Sequence, residues 1–202
     1  MKRILTTPID PKEIADLRVG DVVYLSGIVA TARDAAHKRI LERGLPDGAD
    51  LNGGAIFHAG PIMAKDDASK WHTVAIGPTT SMRMEDYQKE VLEQTGVRLL
   101  IGKGGMGERT KAACKKYKAI HTVFPGGCAV LAASAVEEVL AAEWQDLGMP
   151  EAFWVLKVKE LGPLIVSIDT KGNSLFESNR ALFAKRKDEA LKELLPRLDF
   201  GH

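Results

Sequence analysis

The chain has 202 residues, and its 28 Lys and Arg against 27 Asp and Glu leave a formal net charge of +1. That balance lacks the clustered basic excess of a nucleic-acid partner, and no apolar run approaches the roughly 20 residues that cross a bilayer. The opening MKRILTTPIDP does not read as a signal peptide, so the expectation is a cytoplasmic chain forming one domain over 1–202, with no membrane and no nucleic-acid partner.

In chain order, ILTTPI reads as a short strand, and Asp10-Pro11 opens a helix with Asp10 as cap. Gly20-Asp21 is a turn, and VVYLSGIVA is a strand rich in β-branched residues. Thr31 is the expected cap of the next helix, with Asp34 three residues on completing a capping box. That helix, ARDAAHKRILERG, ends at Gly44. GGAIFHAGP and WHTVAIG read as strands joined by the charged loop 64–70. VAIGPTTSMR runs from a strand into a helix that starts near Ser81, with Thr80 or Ser81 as cap. VRLLIG is a strand, MGERTKAACKKYK a helix and AIHTVF a strand. CAVLAASAVEEVLAAEWQDLG reads as one long helix. FWVLKVKE, LIVSIDT and SLFE read as a run of strands holding the turn Lys171-Gly172-Asn173, and a charged helix closes the chain. Strand alternating with helix over short connections gives an α/β domain with a mixed sheet.

Two cysteines without a C-x-x-C, Cys114 and Cys128, make neither a zinc site nor a disulfide framework and read as packing residues. None of the five histidines stands in H-x-H or H-x-x-x-H, so no metal site is expected from this chain.

Three stretches carry chemistry. In GPTTSMR a helix start offers free N–H groups and a positive dipole end to an anion. Arg83 adds a planar fork that matches a carboxylate, and Thr79 adds a hydroxyl. Capping by Thr79, Thr80 and Ser81 would account for the same residues. In LLIGKGGMGERT, Gly102, Gly104 and Gly107 satisfy G-x-G-x-x-G between a strand and a helix. The acid that a dinucleotide ribose needs about 20 residues further on is missing, and no G-K-[ST] follows. Lys103 leaves the loop with one cation. In TARDAAHKR, Arg33 lies in the first turn and His37 shares its face one turn on. Each stretch follows a strand and opens a helix, and open α/β sheets bind ligands at that edge. Arg33, Arg83 and Lys103 with Thr79 suit a substrate with two carboxylates.

These residues, with ILTTPI, ARDAAHK, FHAGPI, GPTTSMRM, IGKGGMG, GGCAVLAA and VSIDTKGN, resemble the small (β) subunit of the iron–sulfur hydro-lyases, the class I fumarase and L(+)-tartrate dehydratase family. The resemblance covers nearly the whole chain. It implies a swivelling β/β/α domain and a water-removing or water-adding enzyme active only with an α subunit, as an α2β2 assembly. Thr79 matches the catalytic base, and Arg33, Arg83 and Lys103 match substrate-binding residues, with Thr80, His37, Gly102 and Gly104 in support. The implied cofactor is a [4Fe–4S] cluster held by three cysteines of α, which leaves Cys114 and Cys128 structural. The implied substrate is a 2-hydroxydicarboxylate, with L(+)-tartrate ahead of fumarate and malate. A dinucleotide-binding domain on 102–107 and a non-catalytic dicarboxylate-binding module are the competing expectations from other classes.

Overall fold

The computed structural model describes residues 2–197. Parallel strands β1 (Arg3–Thr6), β2 (Val22–Thr31), β3 (Ala55–Phe57), β6 (Leu99–Gly102) and β7 (Ile120–Val123) lie side by side in that order. The long strand β9 (Phe153–Ile168) runs antiparallel to both β2 and β7, so the sheet closes on itself. β8 (Val136–Glu143) adds an antiparallel edge to β9, and β4 (Ala59–Lys65) with β5 (Trp71–Pro78) form a separate hairpin. The helices are α1 (Pro11–Ile14), α2 (Asp34–Arg43), α3 (Glu85–Thr95), α4 (Glu108–Tyr117), α5 (Ala129–Ser134) and α6 (Leu175–Leu194). The expected mixed α/β sheet is what forms.

Alternation along the strands builds two cores, because successive side chains leave opposite faces. Ala55 and Phe57, Leu99 and Ile101 point to one cluster, which includes Trp154 and Leu164 of β9. Ile56 and Leu100 point to the other, against Ile40 of α2, Val91 of α3 and Ala113 of α4. Both faces are buried, which is why LLIG carries no polar residue.

Three expectations fail here. The long helix over 128–148 breaks after α5, and VEEVLAAE is strand β8. Its apolar residues Val136, Val139 and Ala142 recur every third position, as on a helix, yet all three pack on the core. Register shifts between Val136 and Glu138 and between Val139 and Ala141 make this possible: each bulge adds a residue and resets the face. FWVLKVKE and LIVSIDT are one strand, bent through Gly162-Pro163 where its pairing with β2 shifts register. SLFE opens α6. Ser174 caps it by accepting from the Glu177 N–H at 3.4 Å, and S-x-x-E is a helix-start signature.

Candidate active site

β2, β3, β6 and β7 all end at one edge; Arg33 and Lys103 follow β2 and β6 there, and Thr79 and Arg83 follow the hairpin strand β5. Backbone bonds knit the edge together. Thr79 N–H donates to the His58 carbonyl at 2.7 Å, Lys103 N–H to the Thr79 carbonyl at 3.0 Å, and Ser81 N–H to the Lys103 carbonyl at 2.9 Å. Thr79 and Lys103 therefore sit on adjacent backbones, across a bridge that pairs Thr80 with Lys103. Ser81–Met84 is a short 3-10 helix that leads into α3.

The two arginines meet through Asp34. Arg83 Nε donates to Asp34 Oδ1 at 2.9 Å, and its Nη2 stands 2.6 Å from Oδ2. Arg33 Nε lies 2.6 Å from Glu151 Oε1 and 3.8 Å from Asp34 Oδ2. Arg83 Nη1 reaches the Thr79 hydroxyl at 3.4 Å, a weak bond. Lys103 is exposed and forms no ion pair among the described residues; its stem runs beside Gly126. Arg33, Thr79, Arg83 and Lys103 thus share one rim, and both arginines already face carboxylates of their own chain.

The capping account of the hydroxyls fails. Arg33, not Thr31, is the N-cap of α2; Thr31 bonds to Ala152 and Trp154 of the neighbouring strand region. Thr80 is the N-cap of the 3-10 turn but makes no side-chain cap bond, and it is exposed. The starts of α2 and α4 are filled from within the chain. Glu151 Oε2 accepts from the Ala35 N–H at the head of α2. At the head of α4, Glu85 accepts from the N–H groups of Gly107, Arg109 and Thr110 at 2.8, 3.0 and 3.2 Å. The glycine-rich loop 102–107 therefore delivers its helix dipole to an internal carboxylate, where a dinucleotide pyrophosphate would have to sit. Gly104 takes a positive φ of 77°, the turn geometry that glycine tolerates.

His37 does not project into the rim. It is buried, with Nδ1 at 3.0 Å from the Arg33 carbonyl. It belongs to a layer of buried rings beneath the site. His37 and His58 have centroids 5.1 Å apart, and His58 and His121 6.1 Å apart. Ser81 Oγ bridges His58 Nδ1 and His121 Nε2, each at 3.0 Å. Burial pushes the His37 pKa down to about 4 and the His121 pKa down to about 3. Burial, aided by the neighbouring rings, also holds His58 well below the ordinary histidine value. These rings are neutral at physiological pH. Sequence reading missed Ser81, His58 and His121, because a serine after GPTT looks like a cap and the two histidines fall on separate segments, just after β3 and within β7.

Gly102 is placed by this layer. A Cβ there would stand 1.8 Å from Ser81 Oγ and 3.0 Å from His58 Nδ1. Gly102→Ala is expected to destabilise the chain by about 1–3 kcal/mol, the usual overpacking cost. Gly104→Ala meets open space and pays only for its positive φ, about 1–2 kcal/mol at most. Urea midpoints of the two variants check this; a wild-type midpoint for Gly102→Ala would mean that Ser81 moves aside freely.

A family profile described as "Fumarase C-terminus" matches residues 2–179. The chain belongs to that family. It is 57% identical over 194 residues to the protein named "L(+)-tartrate dehydratase subunit beta" of Escherichia coli, covering 96% of each chain. It is 42% identical over 178 residues to the "Putative fumarate hydratase class I" of Geobacillus stearothermophilus, covering 87% of this chain and 34% of that one. The same domain therefore occurs as a separate chain and as part of a longer one.

Proposed function

We propose that this chain is the β subunit of a two-subunit hydro-lyase that converts L(+)-tartrate to oxaloacetate and works with an α subunit in an α2β2 assembly. The observation that carries the reading is the shared rim of Arg33, Thr79, Arg83 and Lys103, on a chain that matches a protein named as a tartrate dehydratase β subunit over 96% of each length. Fumarate–malate interconversion is the second reading, supported by the match to a fumarate hydratase. One hydroxyl separates the two substrates.

In this reading Arg33 and Arg83 hold the substrate carboxylates, and Lys103, which forms no ion pair among the described residues, is placed to take the second charge. Thr79 removes the proton from the carbon beside the leaving hydroxyl. A threonine hydroxyl is a base only where cations stabilise its alkoxide; Arg83 and Lys103 flank it. The same cations oppose the negative charge that builds on the carboxylate as the proton leaves. Asp34 and Glu151 hold the arginine forks until substrate displaces them.

The residues present do not fit a [4Fe–4S] cluster. Among the described residues no group of three or more His, Cys, Asp and Glu could hold a metal ion. Cys114 is buried in the apolar core, which raises its thiol pKa strongly, and Cys128 lies half-buried on another segment. We place the cluster on the α subunit and derive no step through it. Among the described residues no helix is long and apolar enough to cross a membrane; a cytoplasmic site of action completes the reading.

Anaerobic co-expression with the α subunit, followed by assays on tartrate, malate and fumarate, tests the function. Turnover of none of them, or a stoichiometric cluster in this chain alone, overturns it. Arg83→Lys refines the test, because an ammonium cannot copy the two-pronged contact now made with Asp34. The expected loss is about 2–4 kcal/mol in kcat/KM, the range for a charged hydrogen-bonded contact. A near-native kcat/KM would return Arg83 to the surface.

A further inference from the structure

The buried rings leave a hydrogen-bond problem whose solution is nearly unique. Assigning the Ser167 hydroxyl proton to the His121 carbonyl, which can only accept and lies 3.2 Å away, makes Ser167 Oγ the acceptor of His121 Nδ1–H. With its proton on Nδ1, His121 offers a bare Nε2. Ser81, 3.0 Å away, has one hydroxyl proton and gives it to that nitrogen. Ser81 can then only accept from His58, which must carry its proton on Nδ1. His58 Nε2 is left bare. On the far side, His37 Nδ1 donates to the Arg33 carbonyl, which leaves His37 Nε2 bare as well. Neither Nε2 makes a hydrogen bond among the described residues, and both are buried.

One group can serve both. The Gln88 side chain is wholly buried, and neither amide atom makes a hydrogen bond among the described residues. It is the side chain that acts on both His37 and His58 against the effect of burial. Its amide nitrogen carries two hydrogens. Two bare acceptors and two donors match in number, so turning the amide nitrogen to the rings pairs three of the four orphaned atoms and leaves only Gln88 Oε1. An unpaired buried polar group is costly, so such a network has one preferred direction.

We propose that Gln88, His58, Ser81 and His121 form a hydrogen-bond chain of fixed polarity that positions the site's residues from below. This rests on the reading of Arg33, Thr79 and Lys103 as the substrate site. At one end the chain grips the backbone carbonyl of Arg33 through His37. In its middle it holds Ser81, whose backbone N–H binds Lys103, while His58 holds Thr79 by its carbonyl. His58 thereby clamps both ends of the turn 79–81, one with its ring and one with its backbone. None of these side chains reaches the rim, so they are positioning residues and not catalytic ones. Neutral rings are a requirement: a proton on any of them would turn an acceptor into a donor and set two donors against each other.

The experiment uses the full chain, without its partner, and 15N-resolved NMR of the histidine side chains at pH 7. All three rings are expected as the Nδ1–H tautomer. An Nε2–H ring at 37, 58 or 121 overturns the proposal. Gln88→Met, which keeps length and removes the donors, is then compared with Val91→Ala, a buried truncation one turn further along α3. Gln88→Met is expected to move the amide signals of Arg33, Thr79 and Lys103 well beyond the control. Equal shifts in the two variants overturn it. In complex with α, Gln88→Met should lower kcat/KM at least about tenfold at a Tm no lower than that of Val91→Ala. Should the wild-type complex turn over no dicarboxylate, the functional reading falls, and the tautomers and amide shifts still decide the positioning chain.

Discussion

Thr79→Ala is expected to lose about 10²–10⁴-fold in kcat, the contribution of a positioned proton acceptor, while fold and substrate binding persist. The structure separates the two roles a threonine could have here. A cap would show a bond from Oγ1 to a nearby backbone N–H, and the turn at 81–84 has no side-chain cap bond. The backbone of Thr79 is held by its own N–H to His58 and its own carbonyl to Lys103, and neither bond involves the side chain. Removing the hydroxyl should therefore cost well under the roughly 1 kcal/mol of a lost cap. Arg33, Arg83 and Lys103 remain to bind the carboxylates, so KM should change little. Thr79→Ser keeps the oxygen and should keep part of the turnover. The check is kcat, KM and Tm for both variants in complex with α. If Thr79→Ala turns over normally, the base is elsewhere, and the threonine serves only as a small neighbour of Arg83.

Single residues with strong chemistry were legible in the sequence, and assembled polar layers were not. Arg33 and Lys103 follow the parallel strands β2 and β6, which bring such positions to one edge, whereas Thr79 and Arg83 follow the hairpin strand β5 and reach that edge through the backbone bonds of Thr79 to His58 and Lys103. The starts of α2 and α4 are not open to an anion, because Glu151 and Glu85 come from distant segments to fill them. No local signal says that a glutamate at the start of α3 will cap α4. His58 and His121 are far apart in sequence and meet only because β3 and β7 flank β6. The same limit explains β8. Its Ala-, Glu- and Leu-rich sequence prefers helix on its own, but β9 offers an open edge, and two bulges let a three-residue apolar rhythm face the core. Tertiary context outweighed propensity there, and nothing within eight residues could reveal it.

The buried histidines make acid stability the second large effect. In the unfolded chain each titrates near 6.5; in the folded chain His37 is held at about 4 and His121 at about 3. Burial is the main cause in both, and for His37 the Arg33 carbonyl, Gln88 and Asp34 oppose it. A folded pKa below the unfolded one means that the unfolded state binds more protons as pH falls. The stability contribution is therefore complete above about pH 6.5 and is lost progressively on the way down to the folded values. Each such histidine costs about 1.4 kcal/mol per pH unit inside that window. His37 and His121 together give about 4 kcal/mol between pH 6.5 and 5, and His58 acts in the same direction. Against a total of about 5–15 kcal/mol for a typical domain, that is a large share. Ordinary surface carboxylates titrate near 4, so the loss between pH 6.5 and 5 belongs to the histidines. Urea unfolding of the chain at pH 7, 6 and 5 should show a falling midpoint at constant slope. A midpoint unchanged from pH 7 to 5 would mean that the rings are not neutral and buried in the folded chain, and the layer beneath Thr79 and Lys103 would have to be redrawn.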